Sequence, residues 1–142
     1  EIAGYKYCLG KNMVGIVLIS HGKMAQGMLD SAKVLFGELA QVVSVELNVD
    51  DSPEDFRIKL SNAIKKVDIG DGAVVLADLY GGTPSNQAAY IACNNVQVIS
   101  GMNLTIFLEL LSMRLNDLVE VEKLVEYGKN GIVHINKILG IE

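Results

Sequence analysis

The stretch "GIVLISHGKMAQG", Gly15 to Gly27, decides the fold. Gly15 and the apolar run Ile16–Ile19 read as a buried strand that leads directly into Ser20, His21 and Gly22. A strand that is apolar at consecutive positions has both faces covered, as in a parallel sheet between layers of helices. The period then changes. Ala25, Met28, Leu29, Ala32, Leu35 and Phe36 recur at helical spacing over Met24–Phe36, and Val42–Val49 returns to a strand. This is one strand–helix–strand unit, and one of the chain's two histidines stands at the end of its first strand. His21 there is either a reactive imidazole at the mouth of a sheet or a turn residue that caps the strand.

The alternation continues. Ser52 is placed as N-cap and Pro53 as first residue of a second helix, with Phe56, Leu60, Ala63, Ile64 and Val67 as its buried stripe. Asp68–Gly72 breaks that helix, and Ala73–Ala77 is a third, wholly apolar strand. After the loop "DLYGGT", a third helix is expected from Pro84 to roughly Asn94, capped by Thr83. Val96–Ser100 is a fourth strand. Leu104, Phe107, Leu108, Leu111 and Leu115 mark one helix and Leu118, Val121, Leu124 and Val125 another. Gly128–Gly131 then releases the chain into Ile132–Ile138, expected to be a strand. The first twelve residues lack any period and read as an upstream extension or a remnant of added sequence, with the domain proper at 13–142.

Composition bounds the function. A chain of 142 residues, half of them hydrophobic, fits one domain that buries roughly 70% of its unfolded surface. Twelve basic against 17 acidic residues give a net charge of −5, with no Lys/Arg run longer than Lys65-Lys66, so nucleic acid is not an expected partner. Cys8 and Cys93 form no metal-ligand spacing, no signal peptide precedes the first strand, and no run approaches the length of a membrane span. These features point to a reducing cytoplasm, with neither metal nor cofactor.

The fold class expected is therefore α/β: an open, mainly parallel sheet with helices on both faces and right-handed crossovers. With the flavodoxin-like strand order 2-1-3-4, the first and third strands are neighbours at the switch point, beyond whose carboxyl ends ligands bind. His21 ends the first and Asp78 the third. A carboxylate beside an imidazole accepts a hydrogen bond from one ring N–H, fixes the tautomer and leaves the other nitrogen as nucleophile or base. Gly22, Gly81 and Gly82 let backbone N–H groups approach a phosphate, Thr83 adds a hydroxyl, and both following helices aim positive dipole ends at the same space.

"GIVLISHGKMAQGML" and "ADLYGGTPSNQAA" together resemble the two signature segments of the enzyme IIA domain of the mannose family of the bacterial phosphoenolpyruvate-dependent sugar phosphotransferase system. The likeness covers nearly all of Met13–Glu142 and includes "SGMNL" after the fourth strand. It implies that His21 is phosphorylated by the phosphocarrier protein HPr and hands the group to enzyme IIB, which serves a membrane IIC/IID permease. Asp78 then orients the ring. It also implies a homodimer whose last strand, Ile132–Ile138 here, crosses to the partner and pairs antiparallel with its sheet. The chain departs from many relatives in carrying Ser85 where an aromatic residue follows the Gly-Gly-Thr-Pro element, which alters the expected rim for partners. Ending at Glu142, it is expected to use a IIB on a separate polypeptide.

Other classes fit less well. A receiver domain needs acidic residues after the first strand for Mg²⁺, and Ser20-His21-Gly22 stands there. A flavodoxin needs a hydroxyl-rich phosphate loop and flanking aromatics, which "SHGKMAQG" lacks. Two alternatives remain: a IIA-like phospho-acceptor controlling a transcription activator, and the phosphocarrier subunit of a dihydroxyacetone kinase. His134, in the alternating "IVHINKI", reads as structural or surface-borne, Cys93 as packing, Met24 and Met28 as core or rim fillers, and the Glu120–Glu126 acids as a solvated face.

Overall fold

The computed structural model describes residues 8–9, 13–116 and 118–141. Apart from Cys8–Leu9, the expected N-terminal extension lies outside the described residues. Twelve elements are present among the described residues: β1 (Cys8–Leu9), β2 (Gly15–His21), α1 (Met24–Phe36), β3 (Val42–Leu47), α2 (Pro53–Val67), β4 (Ala73–Ala77), α3 (Thr83–Ala89), β5 (Val96–Ser100), α4 (Leu104–Arg114), β6 (Val119–Glu120), α5 (Val121–Asn130) and α6 (Ile135–Leu139).

The main sheet is parallel throughout, in the order β3-β2-β4-β5. Counted along its own strands this is the expected 2-1-3-4. β2 and β4 occupy the centre, and their unbroken apolar runs are buried at every position up to His21. Side chains alternate across the sheet as the strand period requires. Ile16, Leu18, Val74 and Leu76 face α1, α4 and α5, whereas Val17, Ile19, Val75 and Ala77 face α2 and α3. The helix after β2 thus packs on one face and the helix after the neighbouring β4 on the other. That divergence is the switch point, and His21 and Asp78 stand side by side at it.

Local chemistry sets the boundaries. Ser52 Oγ accepts from Asp55 N at 3.1 Å and Pro53 opens α2, a cap that contributes about 1 kcal/mol. β3 stops at Leu47, before Val49, because the Asn48 N–H turns to the Asp51 carboxylate at 2.8 Å. α3 is shorter than expected and Thr83 is not its cap. The cap is Gly82, in extended backbone and without a side-chain bond. The helix ends at Ala89 because the Tyr90 and Ile91 amides tighten to carbonyls three residues back and Cys93 pairs with Val96, steering the chain into β5. β1 falls in the stretch that lacks a period, and β6 corrects the helix expected from Leu118, which begins only at Val121; the two strands pair antiparallel as a separate two-stranded ribbon.

The C-terminal segment corrects the expectation of a strand over Ile132–Ile138. Residues 135–139 form α6, and every residue from Gly131 to Ile141 is exposed. A strand must borrow a ladder from a neighbour, whereas a helix closes its own amides. Here Ile138 N donates to His134 O at 3.2 Å and Ile141 N to Asn136 O at 2.9 Å, with Gly140 as a left-handed cap.

Two interior positions bind the layers at the end of the sheet remote from His21. Arg114, only 5% exposed, donates from Nη1 to Val14 O at 3.0 Å and from Nη2 to Ala40 O at 2.7 Å, strapping α4 to the starts of β2 and β3. Burial pushes its pKa down from the ordinary guanidinium value. At the start of β2, a Cβ on Gly15 would lie 2.6 Å from both Val67 O and Val67 Cγ2. Gly15→Ala is therefore expected to push α2 off the sheet and destabilise the domain by about 1–3 kcal/mol. Denaturant unfolding checks this, and an unchanged midpoint contradicts it.

Candidate functional site

The site is assembled where β2 and β4 end. His21 is the last residue of β2 and the first exposed one after six buried positions. Asp78 follows β4, its amide donating to Ile19 O at 3.1 Å so that the chain is still held against β2 as it leaves the sheet. The parallel register thus carries the carboxylate beside the imidazole across 57 residues of sequence.

Asp78 is fixed on three sides. Its Oδ2 accepts from the His21 backbone N–H at 2.9 Å and lies 2.8 Å from His21 Nδ1. Its Oδ1 accepts from Leu79 N at 2.9 Å. The Asp78 side chain is 7% exposed and that of His21 48% exposed, so the buried partner holds the one that meets solvent. An ionised carboxylate only accepts hydrogen bonds, so beside it a neutral ring takes the tautomer with its proton on Nδ1 and its lone pair on Nε2.

The glycines divide into different roles. Gly22, at φ 55°, donates its amide to Leu47 O at 2.9 Å, and Gly81, at φ 90°, donates to Ser85 Oγ at 3.1 Å. Both amides are thus already engaged, and these residues shape the loops instead of offering an N–H to an anion. Gly82 is needed for another reason. A Cβ there would stand 2.6 Å from His21 Cε1 and 3.2 Å from Nε2, so the backbone itself is the wall against which the ring lies. Among the described residues, the Gly82 and Thr83 amides and the Thr83 hydroxyl have no internal acceptor or donor.

Sequence reasoning missed two contributors, Ser20 and Ser85, both buried. Ser20 Oγ donates to Gly22 O at 3.0 Å and accepts from Ala25 N at 2.7 Å, tying the His21 loop to α1. Ser85, expected at an exposed rim, instead lies under the Gly81-Gly82 turn. The signal for Ser20 was its place between an apolar strand and a helix start, the position of a capping hydroxyl.

The remaining candidates lie elsewhere. His134 precedes α6 and makes no described bond to the His21 site. Cys93 is exposed and free, which corrects the packing reading. Met28 packs against the core and Met24 stays half exposed at the rim. No cluster of three or more metal-ligating side chains occurs among the described residues, and no described helix is long and apolar enough to cross a membrane.

A family model described as PTS system fructose IIA component matches residues 15–127. The chain belongs to this IIA family. Among curated relatives, the sorbose-specific EIIA component of Klebsiella pneumoniae is 33% identical over 70% of this chain and 73% of its own. The fructose-specific EIIA component of Bacillus subtilis is 28% identical over 72% of this chain and 71% of its own. The mannose-specific EIIAB component of Escherichia coli is 31% identical over 84% of this chain, which spans only 38% of that longer relative. Among solved structures, the PTS IIA protein associated with the fucose utilization operon from Streptococcus pneumoniae superposes with a TM-score of 0.82 at 25% identity, over 92% of this chain and 98% of that one. Membership gives this IIA component a phosphocarrier role within the sugar phosphotransferase system.

Proposed function

We propose that this IIA component carries a phosphoryl group on Nε2 of His21, accepting it from HPr and passing it to enzyme IIB for sugar uptake. The observation that supports the reading most is the 2.8 Å approach of Asp78 Oδ2 to His21 Nδ1, which leaves Nε2 unprotonated on a half-exposed ring. In the forward step the Nε2 lone pair attacks phosphorus, the N–P bond forms, and the bond to the donor breaks with its electron pair returning to the donor. The Nδ1 proton stays on the ring. The positive charge that develops faces the Asp78 carboxylate, and the same contact serves the reverse transfer to IIB. The Gly82 and Thr83 amides with the Thr83 hydroxyl receive the phosphoryl oxygens, while Gly22 and Gly81 fix the loops around them.

Relatives named for fructose, mannose and sorbose each match 70% or more of this chain. Likeness to components named for different sugars supports a shared role in handling the phosphoryl group and not the sugar. The transport reading is favoured over a regulatory acceptor or a dihydroxyacetone kinase subunit, because all three of these relatives are PTS components. The reading places the reaction in the cytoplasm. The test is incubation with phosphoenolpyruvate, enzyme I and HPr: the mass is expected to rise by one phosphoryl group, lost in acid and kept in base. No incorporation would sink it.

We also read the chain as a homodimer. Ile132, Val133, Ile135, Ile138, Leu139 and Ile141 are each more than half exposed in one continuous segment, more apolar surface than a solvated tail ordinarily shows. Light scattering on the full chain is expected to give twice the 15.3 kDa of one chain. Deletion after Gly131 is expected to abolish that mass, and a monomer for the intact chain contradicts the dimer.

A further inference from the structure

Three buried polar or charged side chains occur among the described residues, Ser20, Ser85 and Arg114. Arg114 is a strap at the far end of the sheet. The two serines both lie in the loops that flank His21, and Ser85 bears on the ring itself. Its hydroxyl accepts from Gly81 N at 3.1 Å and donates to Gly82 O at 3.2 Å, bridging the two glycines of the turn from below. The second of those glycines is the one whose backbone lies against Cε1 of the imidazole.

The ring is held by two restraints of different kinds. Asp78 grips Nδ1 and sets the tautomer. That bond restrains the Cβ–Cγ torsion at one point only, and the torsion's own well is broad. The Gly82 backbone supplies the second restraint along the Cε1 edge. It stands firm only if the turn does, and that turn contains a left-handed Gly81 and no side chain of its own to pack. Asn86 adds a 3.4 Å contact from its side-chain amide to Gly81 O and a 2.9 Å bond from its backbone N–H to Gly82 O, neither of which reaches the Gly81 N–H. Ser85 Oγ takes up that N–H and bridges it to Gly82 O.

We propose that Ser85 is a positioning residue for phosphoryl transfer: its hydroxyl locks the Gly81-Gly82 turn and so holds the His21 ring with Nε2 at the angle of attack. The proposal rests on the phosphohistidine reading above. Without the hydroxyl, the Gly81 N–H loses its acceptor and Gly82 C=O is held by the Asn86 N–H alone at 2.9 Å, so the turn loosens on its Gly81 side, and the ring keeps its tautomer but loses its orientation. Displacement of a reacting group by about 1 Å costs on the order of 10²-fold in rate.

The test compares the full chain with Ser85→Ala and with Ser85→Cys, whose thiol is a weak donor and acceptor of similar shape. Transfer from phosphorylated HPr is expected to fall roughly 10- to 100-fold in kcat for the Ala variant, with KM for HPr unchanged and the Cys variant between. In the unphosphorylated protein, NMR of the imidazole is expected to show the Nδ1–H tautomer retained while the Hε1 signal broadens or splits. That second readout needs no phosphoryl donor. If the wild-type chain accepts no phosphoryl group, the function reading fails while the ring signal still decides the role of Ser85. A His21 signal in both variants indistinguishable from wild type overturns the proposal, whatever the kinetics. A rise in KM with kcat preserved overturns it as well, because it assigns Ser85 to partner contact.

Discussion

His21→Ala is expected to reduce phosphoryl incorporation to zero while leaving the fold in place. The two halves of that expectation have separate causes. Chemically, the variant removes the ring whose Nε2 is the proposed acceptor, and the other histidine, His134, lies on the exposed C-terminal segment without a described bond to this site. Structurally, little is lost. The bond from the residue 21 amide to Asp78 Oδ2 belongs to the backbone and survives the change, and Leu79 N still donates to Oδ1. The carboxylate is therefore not orphaned. The half-exposed ring contributes little burial, so the loss of one side-chain hydrogen bond costs about 1 kcal/mol. Intact mass after incubation with the phosphoryl donors measures the first effect and thermal unfolding the second. Full labelling of the variant moves the acceptor to His134. A gross loss of stability instead makes His21 a strand cap and weakens its reading as an acceptor.

The core of the fold was legible because its central strands are buried on both faces and therefore carry unbroken apolar runs. Ala73–Ala77 and Val96–Ser100 stand where the sequence places them, and the parallel order follows from the alternation of strand with helix. The elements that were misread are those whose residues do not settle their own state. Ile132–Ile138 is apolar at positions that suit either period. Unpaired with any described strand, it closes its amides as a short helix. The end of α3 follows from tight bonds at Tyr90 and Ile91 and the Cys93–Val96 bridge, and carries no helix-breaking residue to announce it.

The site was legible in its residues and less so in their division of labour. Strand order alone put His21 beside Asp78, and the 2.8 Å contact follows from it. Glycine identity, by contrast, says only that a side chain is excluded and not what excludes it. At Gly22 and Gly81 the reason is a left-handed backbone, and at Gly82 it is the imidazole. The engagement of the Gly22 and Gly81 amides depends on Leu47 O and Ser85 Oγ, partners that no local pattern discloses.

Asp78→Asn is the substitution that separates orientation from mere strand capping, and its expected effect follows from a count of donors. Three N–H groups converge on the carboxylate: the His21 amide and Nδ1–H on Oδ2, and the Leu79 amide on Oδ1. An asparagine of the same shape offers one accepting oxygen and one donating nitrogen. If its oxygen faces Leu79, its NH₂ meets the His21 amide and Nδ1. The ring must then put its proton on Nε2, and the nucleophile is lost. If its oxygen faces His21, the tautomer survives but the NH₂ opposes the Leu79 N–H, at a cost of about 1–3 kcal/mol for the unmet donor. In either arrangement the negative charge that faces the developing imidazolium is gone. Transfer from phosphorylated HPr is expected to slow by roughly 10²- to 10⁴-fold, the range for loss of a partner in acid–base catalysis. Circular dichroism is expected to remain native-like. Nitrogen-15 shifts of the ring report which arrangement is taken: a switch to Nε2–H marks the first and a retained Nδ1–H the second. Wild-type rates together with a retained tautomer would reduce Asp78 to a cap on β4, and would require that Nε2 be activated by some group other than this carboxylate.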